Sequence, residues 1–362
     1  MNIIKIGELK TVMSNPESKH NYFAWPTVTR LQNGKLALVS SGYRIWHICP
    51  FGKAVISYSE DEGESYTMPA PVIDTVLDDR DAGICTFGKS GVIVTSFNNK
   101  VAFQRKHENN YSKGYLDSIT PEEEKRDYGA TFRISNDCGV TFGKLYKSPV
   151  TSPHGPIELN DGSLLWVGRA FVPYDGEGVK KDYIQAYKIN PDGECEFLGK
   201  IPDVISEKNL QSHEPHAICL PDGRILVHIR VEDCLEEINI RHNVFTIYQS
   251  ESLDGGKTWT APVQVLDDLG GAPAHLMLHS SGVLICSYGY RQKPYGIKVM
   301  FSKDYGKTWD SGYDINVNDV SVDIGYPATV ELEDKSLLTV FYAHNSDEEP
   351  AVIMQQKWKF EE

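Results

Sequence analysis

The sequence predicts an all-β fold, a six-bladed β-propeller made of four-stranded antiparallel blades with Asp-box turns. Two repeats lead to this prediction. A turn motif of the form Ser-x-Asp-x-Gly-x-(Ser/Thr)-aromatic, here called the Asp box, occurs four times without a gap between its members. Six pairs of apolar strands, each pair joined by a polar or Gly-containing turn, also follow one another at intervals of roughly 60 residues, which suits one blade with its loops. Together these repeats leave little sequence for helices or for a second domain.

The Asp box specifies its own turn. In the third copy, Asp254 can accept hydrogen bonds from backbone N–H groups ahead of it, as in an Asx-turn. Gly256 allows a backbone conformation that other residues reach only with strain. Thr258 and Trp259 are expected to begin a strand, with the indole covering the turn. The four copies are SEDEGESY (59–66), SNDCGVTF (135–142), SLDGGKTW (252–259) and SKDYGKTW (302–309).

The hairpins give the order of the blades. Asn33-Gly34, Asp161-Gly162 and Asp222-Gly223 are the clearest hairpin turns. Asp boxes follow the hairpins of blades one, two, four and five, whereas blade three lacks the box but still alternates like a strand pair over 172–200. The strand at 351–360 could be joined in one blade by the N-terminal segment 3–9. The six hairpins span 26–44, 82–97, 155–171, 215–230, 273–291 and 327–344.

One charged, Pro-containing segment interrupts the repeat. Residues 106–130 separate the hairpin of blade two from its Asp box, and they are predicted to form a long excursion loop. Within it, the run PEEEKR (121–126) is expected to be solvated.

Composition and net charge argue against several classes of partner. The chain has 362 residues, 40% of them hydrophobic, and a net charge of −14 with no basic stretch, which argues against a nucleic-acid partner. We expect a single propeller domain over residues 1–362. The N-terminus lacks the apolar region of a signal peptide and no segment has transmembrane length, so we expect a cytoplasmic protein without a membrane partner. Seven scattered cysteines without a CxxC pair indicate reduced, mostly buried thiols more than disulfides or metal ligands.

The hairpins also predict where a site would lie. The start of the first strand and the end of the second lie side by side in an antiparallel hairpin. Residues at these positions should therefore converge, across six blades, on one end of the central channel, here called the mouth. They include five arginines, six histidines and three carboxylates, which is typical of a ligand site. The set is Trp25, Arg44, His47, Arg80, Asp81, Asn98, His154, Arg169, His213, Glu214, His216, Arg230, His275, Tyr288, Arg291, Asp323, Tyr326, Tyr342 and His344.

Four Asp boxes on six hairpins resemble the sialidase (neuraminidase) superfamily of six-bladed propellers over essentially the whole chain. Glu214 and Arg230 match a Glu and an Arg of that family at the same spacing of sixteen residues, Arg291 resembles its next arginine, and Tyr326 resembles the tyrosine that opens its last blade. The resemblance implies that the two arginines hold a substrate carboxylate. It also implies that Tyr326 is the nucleophile, with Glu214 accepting its proton.

The chain departs from the family at two places. Phe23-Ala24-Trp25-Pro26 stands where sialidases have Phe-Arg-Ile-Pro, so the first of three substrate-gripping arginines is absent. The region 42–53, where the family's acid/base aspartate is expected, has no carboxylate. Asp81 is the first candidate for the acid/base group, followed by His47 and His154. The further candidates for substrate binding are Arg44, Arg169, His154, His275 and Trp25, the last being equally suited to the core.

The sequence therefore predicts an exo-acting, sialidase-like glycoside hydrolase whose partner is a small acidic carbohydrate, with a uronic or other ulosonic acid as suitable as sialic acid. A lyase that uses His and Tyr on a uronate, and a non-catalytic carbohydrate-binding propeller, remain alternatives. No cofactor is expected, and the mouth histidines favour hydrogen bonding over zinc ligation.

Overall fold

Six antiparallel sheets surround a central channel, which confirms the predicted six-bladed propeller. The computed structural model describes residues 1–171, 184–204, 210–233, 244–267 and 270–361. The inner strands are rich in β-branched and aromatic residues and are mostly buried, because each one packs between the neighbouring blades. An apolar cluster fills each of the six interfaces between adjacent blades.

Blades one to three contain strands β2 to β14. Within each blade the strands are given in order from the channel outward. Blade three differs from the others because its innermost strand is divided into two short strands that both pair with the next one. Blade one contains β2 (Tyr22–Arg30), β3 (Leu36–Arg44), β4 (Lys53–Ser59) and β5 (Ala70–Ile73). Blade two contains β6 (Arg80–Phe87), β7 (Gly91–Phe97), β8 (Ala130–Ser135) and β9 (Tyr146–Ser148). Blade three contains β10 (Val150–Thr151), β11 (Ile157–Glu158), β12 (Leu164–Ala170), β13 (Ile184–Ile189) and β14 (Cys195–Lys200).

The last three blades close the ring. The N-terminal strand β1 (Asn2–Met13) is the outermost strand of blade six and pairs with the C-terminal strand, Asn2 lying opposite Glu361, as predicted for segment 3–9. Blade four contains β15 (Leu210–Cys219), β16 (Ile225–Asp233), β17 (Phe245–Ser252) and β18 (Val263–Gln264). Blade five contains β19 (Gly271–Leu278), β20 (Leu284–Tyr290), β21 (Gly296–Ser302) and β22 (Asp310–Val317). Blade six contains β23 (Gly325–Glu331), β24 (Leu337–Ala343), β25 (Val352–Glu361) and β1.

The Asp boxes connect the third and fourth strands of blades one, two, four and five, at the end of the channel away from the mouth. In the third box, Asp254 accepts hydrogen bonds from the backbone N–H of Thr258 at 2.8 Å and from its hydroxyl at 2.7 Å. Gly256 has φ +92°, and Trp259 donates its indole N–H to the carbonyl of Gly256 at 2.9 Å. The expectation that Thr258 begins a strand was wrong, because Asp254 holds both polar groups of Thr258 in the turn and β18 begins at Val263.

The excursion between β7 and β8 is helical, so the prediction of a loop over 106–130 was wrong. The run 121–126 falls in a helix because Thr120 and Glu123 form a reciprocal capping box and Pro121 occupies the first turn. The helices are α1 (Val101–Gln104), a 3₁₀ turn (Arg105–His107), α2 (Lys113–Ser118) and α3 (Pro121–Asp127). None of the helices in the described part of the chain has both the length and the apolar character needed to cross a membrane.

Two features of the prediction lie partly outside the described residues. Residues 184–200 of the alternating segment in blade three form β13 and β14, whereas 172–183 lie outside the described ranges. Cys234 also lies outside them, and the six described cysteines are free thiols.

Candidate active site

Backbone bulges aim side chains into the mouth. In four blades, one residue near the start of the innermost strand has a positive φ, close to an irregularity in the register with the next strand. A bulge turns a side chain out of the alternating pattern, and such strained positions often occur at functional sites. A proline follows three of the four, so the bulge leaves no unpaired backbone N–H there. The four residues are Trp25 (φ 55°), Asp81 (φ 48°), Glu214 (φ 45°) and Tyr326 (φ 51°).

Three of the predicted site residues form one hydrogen-bonded group. The hydroxyl of Tyr326, in blade six, donates to Oε1 of Glu214, in blade four, at 2.5 Å. Arg230, also in blade four, donates from Nη1 to Oε2 of Glu214 at 2.7 Å and from Nη2 to Glu232 at 2.8 Å. Glu214 is therefore fixed between a phenol and a guanidinium, in the position expected of a base for Tyr326.

The charges of this group favour a protonated tyrosine beside an ionised glutamate. Burial and the carboxyl groups of Glu214 and Asp81 raise the pKa of Tyr326 well above its usual value. Burial opposes ionisation of Glu214, but Arg230 and the hydrogen bond from Tyr326 outweigh burial and lower its pKa. The phenol therefore needs a base in order to act as a nucleophile, and the carboxylate of Glu214 is within reach of its proton.

Asp81 lies beside this group, and its carboxyl group is expected to change its protonation state near neutral pH. It is 7% exposed, and its Oδ1 has no hydrogen-bond partner among the described residues. Burial raises its pKa to about 7; Arg80 opposes this effect and Glu214 adds to it. A buried carboxyl group with a pKa near neutrality is suited to general acid and base catalysis.

Arg291 approaches Tyr326 from blade five. Its guanidinium carbon lies 5.8 Å from the centre of the Tyr326 ring, its Nε donates to the carbonyl of Ile324 at 2.9 Å, and its Nη2 donates to the hydroxyl of Tyr342 at 2.9 Å. Its Nη1 has no hydrogen-bond partner among the described residues. The predicted residues Tyr326, Glu214, Arg230 and Arg291 thus converge from three blades.

Asp323 organises the other side of the mouth. Its carboxylate accepts hydrogen bonds from the hydroxyls of Tyr22 at 2.7 Å and Tyr342 at 3.0 Å, and it pairs with ring nitrogens of His47 and His344, both at 3.2 Å. Burial opposes ionisation, but these neighbours lower the pKa of Asp323 far below its usual value. Asp323 is therefore an ionised carboxylate that positions its neighbours.

His47 is exposed at the mouth but is poorly suited to donate a proton. Its Nδ1 faces Asp323, and Nη2 of Arg80 lies 3.3 Å from its Nε2, so Nε2 serves as the acceptor. Although part of the ring is exposed, desolvation by the surrounding protein and the charge of Arg80 lower the pKa of His47, and Asp323 opposes them. Of the candidates for the acid/base group, Asp81 has the more suitable surroundings.

Arg44 and Trp25 belong to the core beneath the mouth, which corrects their prediction as substrate contacts. The Arg44 side chain is fully buried, is ion-paired with Asp78 at 2.5 Å and lies 4.9 Å from the centre of the Trp25 indole. Arg80 lies on the same indole at 4.2 Å. Trp25 is 2% exposed, so it presents no free face to a sugar ring.

His154 and His275 also lie too deep for the predicted contact with substrate at the mouth. With His216 they form a buried cluster whose ring centres lie 4.5 to 5.3 Å apart. The cluster lines a channel cavity of about 350 Å³ that extends along the innermost strands on the side away from the mouth. Burial lowers the pKa of all three, to about 3 for His275, so these rings are neutral.

Hydrogen bonds oppose metal binding by this cluster. The backbone N–H of Leu276 donates to Nδ1 of His216 at 2.9 Å, and that of Thr329 donates to Nδ1 of His275 at 3.3 Å. A neutral imidazole whose Nδ1 accepts carries its proton on Nε2, which then cannot bind a metal. Across the described ranges, no three His, Cys, Asp or Glu side chains have the spacing of a metal site.

The mouth extends towards blades two and three as a depression in the surface. It encloses about 210 Å³ between Asp81 and Glu214 on one side and the aromatic side chains of Phe97, Tyr128 and Phe171 on the other. The predicted residue Arg169 also lines it, with Nη1 2.8 Å from Nδ1 of His213. Arg169 is thus the arginine that lines the depression, in addition to Arg230 and Arg291 beside Tyr326 and Glu214.

Sequence reasoning assigned no role to several side chains that complete the site. Asp78 and Tyr22 were missed, and Arg80, Asp323 and Tyr342 were placed at the mouth without a role. Asp78 and Arg80 lie in the run DDRDAG, whose cluster of four charged residues before a strand was the available signal. Tyr22 gave no signal because it lies outside the hairpin positions that defined the mouth.

Comparisons with known proteins agree with the architecture. The family model of a BNR repeat-like domain matches residues 116–340, and a comparison with curated proteins finds none that matches. Among solved structures, a protein of unknown function from Dyadobacter fermentans is 19% identical, with a TM-score of 0.76 and 99% of each chain covered.

Two sialidase-type structures are also similar. The NanB sialidase of Streptococcus pneumoniae is 12% identical, with a TM-score of 0.69, 97% of this chain and 70% of that chain being covered. The intramolecular trans-sialidase of Ruminococcus gnavus is 12% identical, with a TM-score of 0.65 and coverages of 99% and 97%. At these identities the comparison establishes a shared fold.

Proposed function

We propose that this chain, which belongs to the BNR repeat-like domain family, is a sialidase-like, exo-acting glycoside hydrolase that removes a small acidic sugar at the mouth. The observation that carries the proposal is the hydrogen bond of 2.5 Å from Tyr326 to Glu214, with Arg230 bound to the same carboxylate. The sialidase and trans-sialidase with similar folds make acidic sugars the first class to test.

Arginines would bind the sugar's carboxylate. Arg291 offers Nη1, and its contacts with Ile324 and Tyr342 fix the direction of the guanidinium. Arg230 adds positive charge close by, although its two Nη atoms already contact Glu214 and Glu232. The first arginine of the sialidase pattern is absent, and Arg44 is buried. We therefore propose a substrate whose carboxylate is held by fewer arginines than the three of the sialidase pattern, such as a uronic or other ulosonic acid.

The first half of the reaction transfers the sugar to Tyr326. The phenol oxygen attacks the anomeric carbon while its proton passes to Glu214. The glycosidic C–O bond breaks, and the leaving oxygen takes the proton of Asp81. Because Asp81 has a pKa of about 7, the rate of this step is expected to decline as the pH rises through 7.

The second half releases the sugar. Water attacks the anomeric carbon, Asp81 accepts a proton from that water, and the C–O bond to Tyr326 breaks. The phenolate recovers its proton from Glu214, which returns both groups to their starting states. Two displacements at one carbon give a product with retained anomeric configuration.

Hydrolysis of 4-methylumbelliferyl glycosides tests the proposal. The panel comprises the α-glycosides of N-acetylneuraminic acid and 3-deoxy-manno-octulosonic acid and both anomers of glucuronic and galacturonic acid, with the neutral glucosides as controls. We expect at least one acidic glycoside to be hydrolysed, and Tyr326→Phe to reduce kcat by roughly 10³-fold. Tyr66→Phe is the matched control, because Tyr66 loses a hydrogen bond of 3.0 Å to Gln355 away from the mouth.

The same assay distinguishes the alternatives. Hydrolysis that persists in Tyr326→Phe would exclude Tyr326 as the nucleophile. A product with the ultraviolet absorbance of an unsaturated uronate would indicate the lyase, in which no water is consumed. Binding of acidic glycans without turnover would indicate a carbohydrate-binding propeller.

A further inference from the structure

The channel cavity beside the histidine cluster has the size of a ligand site. It encloses about 350 Å³, within the range of roughly 300–1,000 Å³ that is usual for such sites. The innermost strands of all six blades form its wall, on the side of the channel away from the mouth. Among the described residues that line it, none belongs to the reaction centre around Tyr326 and Glu214. We call it the base-side cavity, and its lining includes Thr29, Thr86, His216, His275 and Met277.

Two histidines present free hydrogen-bond donors to the base-side cavity. Backbone N–H groups donate to Nδ1 of His216 at 2.9 Å and to Nδ1 of His275 at 3.3 Å, so each neutral ring carries its proton on Nε2. Neither Nε2 has a hydrogen-bond partner in the part of the chain that the structure describes, although the two residues are only 7% and 8% exposed. A buried donor without an acceptor is unfavourable, so these two N–H groups favour a bound acceptor.

The two donors form a pair. The rings are stacked, with centres 4.5 Å apart and planes inclined by 12°. Each ring accepts its backbone hydrogen bond from the innermost strand of the next blade, through Leu276 and Thr329, so the two rings have the same orientation. His154 packs against both at 5.3 and 5.0 Å and is itself held by the hydroxyl of Thr27 at 3.0 Å. The pair is therefore fixed in advance, and it can hold two oxygens of one molecule.

The charges around the base-side cavity favour a neutral ligand. The charged side chains that line it within the described ranges are Glu158 and Glu331. Glu158 accepts a hydrogen bond from the backbone N–H of Gly88 at 2.7 Å, and Glu331 is paired with Lys335 at 3.2 Å. An anion would meet two carboxylates, and a cation would meet the two N–H donors of the histidine pair. A neutral molecule with acceptor oxygens meets neither obstacle.

The rest of the wall suits a small polyhydroxylated molecule. Thr29 and Thr86 are half-buried, and their hydroxyls can both donate and accept hydrogen bonds. Ile218, Met277 and Val330 add half-buried apolar surface, against which the C–H groups of a sugar ring can pack. Hydroxyl groups and apolar C–H groups therefore both have partners in the cavity.

We propose that the base-side cavity is a second ligand site, which binds a neutral polyhydroxylated molecule of the size of a monosaccharide through Nε2 of His216 and His275. The site does not depend on the proposed function, because it lies away from the mouth and uses none of the residues assigned to hydrolysis.

Calorimetric titration with matched sugars tests the chemistry of the site. The neutral probes are D-glucose, D-galactose and D-xylose, and the charged counterparts of the same ring are D-glucuronate and D-glucosamine. We expect at least one neutral sugar to bind wild type with a Kd below about 5 mM, and both charged sugars to bind at least about tenfold more weakly than that sugar. If every neutral sugar has a Kd above about 5 mM, or if a charged sugar binds more tightly, the proposal is overturned.

Variants locate the binding. His216→Phe removes one donor and should raise the Kd about tenfold. Thr86→Phe leaves the histidine pair intact and fills part of the cavity, so binding should be lost even if His216→Phe does not fold. Thr11→Phe, on an exposed position of β1, is the matched control, and Arg291→Lys is the control for binding at the mouth. The Kd should be unchanged in both controls. Binding that survives in Thr86→Phe, or that is weakened in Arg291→Lys, would place the sugar elsewhere and contradict the proposal.

A crystal structure with the sugar that binds best gives the direct answer. Two of its oxygens should lie within about 3.2 Å of Nε2 of His216 and His275. Only water at these nitrogens, with the sugar absent or bound at the mouth, would refute the site. None of these measurements requires turnover, so their outcome is separate from the test of the hydrolase.

Discussion

Replacing Asp81 with asparagine is predicted to change the pH dependence of stability. The wild-type carboxyl group is 7% exposed, one of its oxygens has no partner among the described residues, and Glu214 lies nearby. The neutral acid is therefore preferred in the folded state, and the amide of Asp81→Asn has nearly the same shape without the ability to ionise. Wild type and variant should differ most where Asp81 is ionised.

The sign and the size follow from the pKa values of the two states. Folding raises the pKa of Asp81 from 3.8 to about 7. The stabilisation that comes from holding the proton is complete below the unfolded value and is lost as the pH rises to the folded value. The difference between the two pKa values corresponds to roughly 4 kcal/mol of folding free energy, of which about 3 kcal/mol is lost between pH 5 and pH 8. Relative to wild type, Asp81→Asn should therefore gain about 3 kcal/mol of stability over that interval.

Urea unfolding at pH 5, 6, 7 and 8 measures this difference. Asp79 also has a pKa raised by burial to about 7, but it is present in both proteins and its contribution cancels. The free energy of unfolding of the variant minus that of wild type should increase up to pH 7 and then remain level. A difference that is constant within about 0.5 kcal/mol over the whole range would refute the account of Asp81 as a buried acid that titrates near neutrality.

Three further substitutions test other parts of the structure. Arg291→Lys should raise KM for the acidic glycoside about tenfold with a smaller effect on kcat, because lysine cannot keep both structural contacts and still offer a planar donor; an unchanged KM would remove Arg291 from the carboxylate site. Asp78→Asn should cost about 3 kcal/mol in urea unfolding, because it leaves the fully buried guanidinium of Arg44 without its counter-ion; a loss below 1 kcal/mol would show that the pair is solvated. Gly256→Ala should cost about 1–2 kcal/mol, because φ is +92° and the new Cβ would lie 3.1 Å from Leu165. Gly114→Ala, in open space on a helix, is the control for that change and should be neutral or slightly stabilising.

The architecture could be predicted because it is written in local patterns that repeat. Each Asp box contains both the carboxylate and the glycine that its turn needs, so four copies fixed four blade positions without any long-range information. The remaining blades followed from hairpin turns such as Asp161-Gly162. The convergence of Glu214, Arg230 and Tyr326 followed from topology alone, because strand ends in a closed ring must meet.

Burial could not be predicted in the same way. Arg44 and Arg291 both lie at the end of the second strand of a hairpin, yet Arg44 is ion-paired with the buried Asp78 whereas Arg291 lies beside Tyr326. The difference depends on Asp78, which belongs to the link into the next blade and has no fixed spacing from Arg44. The depth of His154 and His275 could not be predicted for a related reason: His154 lies in the break between β10 and β11, and His275 follows a register shift in β19.

The helical excursion shows a different limit. Its charged and Pro-containing composition suggested a loop, although Thr120, Pro121 and Glu123 form a local helix start that the sequence contains. The positive φ of Asp81 shows a further limit, because no proline follows Asp81 as it follows Trp25, Glu214 and Tyr326.

Covalent trapping of the sugar tests the central claim most directly. The acidic glycoside that wild type hydrolyses is prepared with a fluorine beside the anomeric carbon and fluoride as the leaving group, which slows release of a glycosyl–enzyme. Mass spectrometry of a proteolytic digest should find the sugar on the peptide that contains Tyr326, with no adduct in Tyr326→Phe. Turnover of the parent glycoside with the adduct on another residue, or with equal labelling of Tyr326→Phe, would contradict the proposed nucleophile.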